Sequence, residues 1–461
     1  MRPLALAVLA LGTAPSAANA QEWPPPEESF FDWSQPQFGG EEYAGRRARL
    51  LELLGDLGPG VVLIPSGDGI THGQTFRQLD DFNYFTGLEL PGSALVLDTR
   101  DGTATLYVPS RDFRFDNPSR RNDFPGRPLG DDAAVRAQAG VDAVLPRGAL
   151  DQALDSWQER GTRVWINGGA AGDLPNPSPG LGASLEPAAT SVLALRSTHP
   201  ALRLSNAYEG VARLRMVKSA AEIEVMRRAV AATAEGIRHA ASFVEVGVDE
   251  RTLEGEFELA CKRTGSQRLA FSSIVKSGPN SLWPWRVLAA HYDRRNRPLV
   301  RGDLVIFDVG CEMDYYSSDV GRTFPATGSF TPRQRELLDM ITAVSDAVIA
   351  AVRPGVTLAE LRTVAVERIP EGERRHMQTG SFYGHHVGLA VGDPALAEIP
   401  LEPGMVFTVE PWYYNHEEAV AVFVEDQVLV TPQGAEVLTR GLPRAAAELE
   451  AMVDTVRKGG S

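Results

Sequence analysis

The hydrophobic positions in the first half of the chain switch between helical spacing and continuous runs of strand length. Residues 46–57 carry apolar side chains at helical intervals, and the same spacing recurs at 133–139 and 150–160. Short apolar runs rich in Val, Leu and Ile predict buried strands at 60–64, 93–98, 104–108 and 163–166. This alternation predicts an α/β layer, followed by a Gly- and Pro-rich loop over 168–187.

The second half opens with a well-marked helix. A junction falls at 201–217, after which Ser219 and Glu222 form a capping-box sequence ahead of an amphipathic run. Thr331 followed by Pro332 marks another helix start, with the helix expected to end near residue 352. Further apolar runs lie between and beyond these helices, so a second α/β unit is expected here.

The first 20 residues have the composition of a secretory signal peptide. Arg2 precedes an apolar stretch at 4–11, and Ala18-Asn19-Ala20 forms a small-residue cleavage site. An uncleaved anchor is the weaker alternative, because this stretch is much shorter than the roughly 20 residues that span a bilayer. We therefore expect an exported protein, periplasmic or extracellular, with no membrane association after cleavage.

Length and composition narrow the class of protein. The chain has 461 residues, of which 43% are hydrophobic and 23% charged, enough for two or three domains. The net charge of -15 argues against a nucleic-acid partner, because phosphate binding needs clustered Lys and Arg. The two cysteines, Cys261 and Cys311, form no C-x-x-C pattern, and we expect both to be buried free thiols, although export would permit a disulfide.

Five residues of the second half are candidate metal ligands. They are Asp308, Asp319, His385, Glu410 and Glu425. Three of them place a carboxylate at the end of an apolar, β-branched run, as expected for strand residues that point into a shared pocket. Four carboxylates and one imidazole suit divalent ions such as manganese, with cobalt or zinc as alternatives. Taken singly, each residue is more often a turn or sheet-edge residue. Together, and with the support of the resemblance described next, they predict a binuclear centre whose activated water hydrolyses an amide bond.

The motifs around these residues resemble aminopeptidase P (Xaa-Pro aminopeptidase), of the methionine aminopeptidase and prolidase superfamily. The resemblance rests on the segments 302–311, 318–325 and 330–336. It extends to the junction segment 215–223 and to the segment 77–87 in the first domain, so that matches spread over about 45 to 435.

This resemblance implies an α/β (α+β) architecture with a creatinase-like N-terminal domain and a pita-bread catalytic domain. The expected segments are a signal peptide at 1–20, an irregular arm at 21–44, the N-terminal domain at 45–205 and the catalytic domain at 206–455. The implied substrates are peptides with proline in the second position. Family members are often dimers or tetramers, so a homodimer or homotetramer is expected.

The resemblance also implies roles for single residues. Asp308 would hold one metal ion, Asp319 and Glu425 would bridge both, and His385 and Glu410 would hold the other. Glu410 would in addition carry a proton during the reaction. Outside the ligands, His291 matches a substrate-contacting, catalytic histidine, and Tyr414 matches a tyrosine near the site and is expected to contact substrate.

Gly392 and Phe423 are among the positions that depart from the family pattern. Gly392 stands where the family has a second active-site histidine, seven residues after the metal-binding one, and we hypothesise that His386 or His416 substitutes for it by contacting substrate. Phe423 replaces an arginine two residues before Glu425, and we expect it to pack in the core.

The alternatives to an aminopeptidase are a prolidase, which accepts Xaa-Pro dipeptides only, and a weakly active or non-catalytic metal-binding relative. A creatinase-like activity on another C–N bond is disfavoured, because the metal ligands are kept.

Overall fold

The computed structural model describes residues 37–55, 58–69, 76–109, 133–175, 186–282, 296–377, 384–396 and 399–457. The predicted signal peptide, most of the predicted arm, and His291 lie outside these ranges. The helices are α1 (Gly40–Gly55), α2 (Asp80–Thr86), α3 (Ala133–Ala139), α4 (Arg147–Arg160), α5 (Pro187–Thr198), α6 (Tyr208–Met216), α7 (Ala220–Ala241), α8 (Glu250–Arg263), α9 (Pro332–Ala351), α10 (Leu358–Arg368) and α11 (Ala446–Arg457).

The strands fall into two groups along the chain. Those of the first half are β1 (Val61–Pro65), β2 (Ala94–Asp98), β3 (Ala104–Val108), β4 (Ala143–Pro146), β5 (Arg163–Ile166) and β6 (Arg203–Asn206). Those of the second half are β7 (Arg268–Leu269), β8 (Ile274–Ser277), β9 (Leu304–Val309), β10 (Cys311–Met313), β11 (Tyr316–Ser317), β12 (Val320–Pro325), β13 (Val406–Val409), β14 (Trp412–Asn415), β15 (Val420–Phe423), β16 (Asp426–Thr431) and β17 (Gly434–Val437).

The first six strands form one mixed sheet in the order β4-β3-β2-β1-β5-β6. Strand β1 is antiparallel to β2 and parallel to β5. The four strands predicted from apolar runs are confirmed. β4 and β6 are additional: both are only partly buried or exposed, β4 has just four residues, and β6 has no continuous apolar run. Helix α1 begins six residues before the predicted start, in an acidic first turn in which the polar sequence hides the helical spacing.

The second half contains two similar arrangements of a helix pair and an antiparallel sheet. Helices α7 and α8 pack together beside the sheet β12-β9-β8, and α9 and α10 pack together beside the sheet β13-β16-β17. The predicted capping boxes are confirmed: Ser219 and Glu222 exchange hydrogen bonds at the start of α7, and Thr331 caps α9 with Pro332 in its first turn. None of the described helices is both long and apolar enough to cross a membrane.

Buried ion pairs join the two halves. Arg215, at the end of α6, donates to Asp81 (2.9 Å) and Asp80 (3.1 Å) of α2 and to Asp393 of the second half (2.6 Å). Lys218 also donates to Asp393 (3.2 Å), and the side chains of Arg215, Lys218 and Asp393 are at most 4% exposed. Helix α2 of the N-terminal domain is thereby fixed against the segment that follows His385.

The expectation of two free thiols is wrong. Cys261 and Cys311 are both buried, as expected, but they form a disulfide with their Cα atoms 5.7 Å apart. Cys261 lies on α8 and Cys311 begins β10, and both side chains belong to one hydrophobic cluster. This pairing across 50 residues depends on how α8 packs against the strands, which the spacing of the cysteines does not specify.

Candidate metal centre

Three of the candidate carboxylates are brought together by the backbone around Gly321. Asp308, near the end of β9, is the register partner of Gly321 on β12. Asp319 lies immediately before β12, and Glu425, between β15 and β16, forms a two-way backbone bridge with Gly321, with N···O distances of 3.3 and 3.0 Å. Asp308 and Asp319 are 11 positions apart along the chain, and Glu425 is more than 100 positions further on. All three thus meet near one glycine.

His385 and Glu410 approach from β13. The backbone N–H of Thr408 donates to the carbonyl of His385 (3.0 Å), and the N–H of His385 donates to the Thr408 hydroxyl oxygen (3.2 Å). That hydroxyl donates in turn to Oε1 of Glu410 (2.8 Å). Thr408 therefore sets the position of both candidate ligands.

The side chains converge on a small volume. Ligand atoms of Asp319, His385 and Glu425 all lie within 4.8 Å of one another. Nε2 of His385 is 3.3 Å from Oδ2 of Asp319 and 3.4 Å from Oε1 of Glu410. All four carboxylates are nearly completely buried, whereas the His385 side chain is 25% exposed, so the imidazole forms the more accessible side of the cluster.

Burial raises the pKa values of all four carboxylates in this cluster. Burial, reinforced by the charges of Asp319 and Glu410, raises the pKa of Asp308 well above its usual value. Burial raises the pKa of Glu410 to about 8 and also raises the pKa values of Asp319 and Glu425. Burial alone would lower the pKa of His385, but the neighbouring Asp319 and Glu410 raise it to about 9. Several like charges in one buried site require positive charge nearby.

The residues present fit divalent cations. Oδ2 of Asp308, Oδ1 of Asp319 and Oε2 of Glu425 are buried and accept no hydrogen bond from the described part of the chain. Buried carboxylate oxygens without donors are costly unless a cation compensates them. Nδ1 of His385 lies 3.2 Å from the carbonyl of His386, so a proton on Nδ1 leaves Nε2 available as a ligand. Oxygen ligands with one imidazole match ions such as manganese, cobalt or zinc.

Buried polar groups behind the cluster hold its backbone. Arg322 is fully buried and donates to the carbonyl of Glu425 (2.6 Å) and to the carboxylate of Asp426 (2.8 Å). The side-chain oxygen of Gln427 accepts the backbone N–H of Asp319 (3.1 Å). These contacts fix the segments that carry Asp319 and Glu425 without using their side-chain oxygens.

The histidines proposed to substitute at position 392 lie elsewhere. His386 pairs with Phe407 in extended backbone, which turns its side chain to the face opposite His385. Burial of its ring, together with the charge of nearby Lys218, lowers the pKa of His386 to about 3. His416 is exposed in the turn between β14 and β15. These positions contradict the hypothesis that either imidazole replaces the missing histidine.

The remaining predicted site residues have mixed outcomes. Tyr414 is half-buried on β14 and stacks against Trp412, with ring centres 5.5 Å apart, and its contact with substrate stays a prediction. Gly392 lines a cavity of about 660 Å³ between the two halves, and a Cβ atom there would meet no described atom within 4 Å. Phe423 is fully buried, as expected.

Sequence reasoning missed two residues that contact Glu410. Oε1 accepts from Thr408, and Oε2 accepts from the indole N–H of Trp412 (3.3 Å). Both lie two positions from Glu410 in extended backbone, where residues two apart share a face. Counting in steps of two from Glu410 would have found them.

Comparison with known proteins shows which families this chain resembles. Residues 224–432 match the sequence model of metallopeptidase family M24, and residues 43–165 match that of the aminopeptidase P N-terminal domain. The chain therefore carries a domain similar to metallopeptidase family M24, preceded by one similar to the aminopeptidase P N-terminal domain. It is accordingly a metallopeptidase, a hydrolase of peptide bonds, and its two-domain α/β fold is that of aminopeptidase P.

Individual relatives agree with this assignment. The chain is 29% identical to the Xaa-Pro aminopeptidase of Escherichia coli (strain K12), over 91% of this chain and 98% of that protein. It is also 29% identical to the mitochondrial intermediate cleaving peptidase 55 of Arabidopsis thaliana, over 90% and 83% of the two chains. Among solved structures, the low-pH form of E. coli aminopeptidase P superposes with a TM-score of 0.73 at 28% identity, covering 91% of this chain and 99% of the other.

Proposed function

We propose that this metallopeptidase removes the N-terminal residue from peptides whose second residue is proline, using two divalent metal ions. The observation that carries the proposal is the set of three buried carboxylate oxygens without donors in the described part of the chain, grouped around His385 and Glu410. The substrate class is supported by relatives named Xaa-Pro aminopeptidase, which align over nearly the whole length of both chains.

The five residues divide into holding and proton-moving roles. Asp308, Asp319 and Glu425 would hold the ions from one side, and His385 and Glu410 would complete the ligand set. When bound, such ions supply Lewis-acid activation of water and of the scissile carbonyl, with manganese our expected metal. Thr408 and Trp412 orient the Glu410 carboxylate, which is placed to take a proton from the nucleophile and to deliver it to the departing prolyl nitrogen.

Peptides of different length and sequence test this proposal. Residues 21–461, loaded with Mn²⁺, should release alanine from Ala-Pro-Ala and not from Ala-Ala-Ala, as measured by mass spectrometry. Glu410→Gln keeps the size of the side chain but removes the proton carrier, and should lower kcat by about 10² to 10⁴, the usual contribution of general acid-base catalysis. Release from Ala-Pro alone would identify a prolidase and contradict the aminopeptidase assignment.

Gly392 supports a second candidate function. The expected histidine is absent there, and neither His386 nor His416 occupies a substituting position, so this chain could bind metals with little turnover. The variant Gly392→His can be built without a clash at Cβ. Metal-loaded wild-type protein that releases no alanine, together with turnover in Gly392→His, would establish this weakly active state and exclude the aminopeptidase.

We further propose that the protein is exported. The Ala18-Asn19-Ala20 sequence supports this proposal, as does the disulfide between Cys261 and Cys311, since such bonds persist mainly in oxidising compartments. Cell fractionation with N-terminal sequencing tests it: a mature chain beginning at Gln21 outside the cytoplasm is expected, and full-length protein in the cytosol would contradict export. Assembly into a homodimer or homotetramer stays a prediction.

A further inference from the structure

The Glu410 carboxylate is held at both of its oxygens by residues of its own segment. Thr408 donates to Oε1 (2.8 Å) and the indole N–H of Trp412 donates to Oε2 (3.3 Å). Glu410 and Trp412 are each 1% exposed, so bulk water does not compete for these contacts. The indole contact is long for an N–H···O bond, and it therefore contributes more to the orientation of the carboxylate than to stabilising its charge.

The indole ring is itself held from the neighbouring strand. Trp412 and Phe423 are direct cross-strand partners in the β14–β15 pair. Their rings stack with centres 3.5 Å apart and an interplanar angle of 20°, and Tyr414 stacks against Trp412 from further away. Cross-strand aromatic pairs stabilise a sheet locally, so the indole has a fixed plane from which to donate.

Phe423 is locked in turn by β12, the strand that begins immediately after Asp319. Its N–H donates to the Thr323 hydroxyl oxygen (2.9 Å), and that hydroxyl donates to the carbonyl of Phe423 (2.7 Å). A Cβ atom on Gly321 would lie 2.0 Å from the Phe423 ring, so the ring fills the space that a side chain would take. Gly321 also bridges Glu425 and pairs with Asp308.

We propose that Trp412 is a positioning residue for Glu410, and that Phe423 fixes the indole against Gly321. A continuous set of contacts then links the Glu410 carboxylate to β12, the strand whose Gly321 pairs with Asp308 and bridges Glu425. Phe423, where the resembling family has an arginine, supports the site through ring stacking instead of charge. This inference rests on the proposed function, in which Glu410 both holds an ion and moves a proton.

Trp412→Phe tests the indole donor, because phenylalanine retains an aromatic face for the stack but has no N–H; the smaller ring is matched by the same exchange in the control variant Trp157→Phe. Loss of a hydrogen bond to a metal-binding group commonly costs 10- to 100-fold in metal affinity or activity. We expect kcat on Ala-Pro-Ala to fall at least about tenfold with KM unchanged. Isothermal titration of the metal-free protein with Mn²⁺ should show a similarly weaker affinity, a readout that does not depend on turnover.

Two further variants separate positioning from general packing. Phe423→Leu removes the stack but keeps the indole, and should give the same pattern more weakly. Trp157→Phe is the matched control, since Trp157 is a buried tryptophan of the N-terminal domain, and should change neither kcat nor metal affinity.

Wild-type kcat and Mn²⁺ affinity in Trp412→Phe would overturn the proposal. So would a loss of activity that follows a lower fraction of folded protein, measured by circular dichroism, with normal affinity in the folded remainder. Failure of the proposed function would give a different result: metal-loaded wild-type protein would have no activity on any Xaa-Pro peptide. The Mn²⁺ isotherms of wild type and Trp412→Phe would still measure the effect of the indole contact on metal affinity.

Discussion

At the scale of single residues, His385 and Glu410 are held by side chains that are not themselves ligands, Thr408 and Trp412. Asp308 and Glu425 are recognisable because each ends an apolar strand sequence, and the structure buries both within one cluster of interacting carboxylates. Trp412 carries no such signal, because a tryptophan beside a β-branched run is most often a core residue. Its role depends on the direction in which the indole N–H points, which requires the fold.

The hypothesis that His386 substitutes for the missing histidine failed because it, too, depends on the direction in which a side chain points. Proximity in sequence made His386 a natural substitute for the residue missing at 392. Extended backbone, however, turns consecutive side chains to opposite faces. His385 therefore faces the carboxylates, while His386 lies near Lys218.

The protonation of the cluster predicts how metal affinity depends on pH. A bound ion must displace the protons on its ligands. The pKa of Glu410 is raised to about 8 by burial, and that of His385 to about 9 by Asp319 and Glu410 against the opposing effect of burial. Both groups are protonated at about pH 6 and lose their protons as pH rises, so Mn²⁺ affinity should increase up to about pH 9.

Titration calorimetry in buffers of different ionisation enthalpy measures the protons released by Mn²⁺. We expect release of one or more protons at about pH 6 and a smaller release near pH 9. Glu410→Gln, which cannot ionise at this position, should release fewer. An affinity independent of pH would contradict the protonation pattern.

At the scale of elements, helix starts were more predictable than ligand geometry. The capping boxes at Ser219 and Thr331 are local sequence signals, and both helices begin where the signals indicate. The chain between Asp308 and Asp319 forms a further small pair, β10 and β11, between the two long strands β9 and β12. Pairing between Gly321 and Glu425, over 100 positions apart, is a tertiary contact without a local signal.

Gly321 provides a prediction at this scale. Alanine there would place a Cβ atom 2.0 Å from the Phe423 ring, which is far inside van der Waals contact, so the ring or the strand must move. We expect Gly321→Ala to lower kcat at least about tenfold through displaced ligands and to reduce stability by about 1 to 3 kcal/mol through overpacking. Steady-state kinetics and urea unfolding measure the two effects.

A second glycine serves as the control. Gly148 lies on the N-terminal helix α4, where an added Cβ atom would meet no described atom within 4 Å, and its φ is not in the left-handed region. Gly148→Ala should therefore leave kcat unchanged. Normal kinetics in Gly321→Ala would mean that the contact between Gly321 and Phe423 does not affect the positions of the candidate ligands.

At the scale of the whole molecule, the sequence predicted two α/β units but not what fixes one to the other. Arg215 and Lys218 lie in the predicted junction or directly after it, yet their shared partner Asp393 is about 175 positions away. The disulfide is a comparable case, since both cysteines were expected to be buried and only the packing of α8 brings them together.

Asp393 gives the prediction at this scale. Asp393→Asn removes the carboxylate shared by Arg215 and Lys218, which leaves two buried cations with less compensating charge. Breaking a buried pair in this way costs about 3 to 5 kcal/mol. Differential scanning calorimetry should show a clear loss of stability, whereas Asp98→Asn, which breaks a pair with the exposed Arg100, should cause little change. Equal effects would contradict the view that the buried pairs fix the junction.

Every role proposed for the five ligand side chains depends on two metal ions that together hydrolyse Xaa-Pro peptides. One titration of metal-free protein with Mn²⁺, recording bound metal and alanine release from Ala-Pro-Ala in parallel, tests this dependence. We predict that activity is absent without metal and reaches its plateau at about two ions per chain, and that Asp319→Asn abolishes both the second ion and the activity. Full activity after complete metal removal, or two bound ions in Asp319→Asn with wild-type turnover, would contradict the binuclear mechanism.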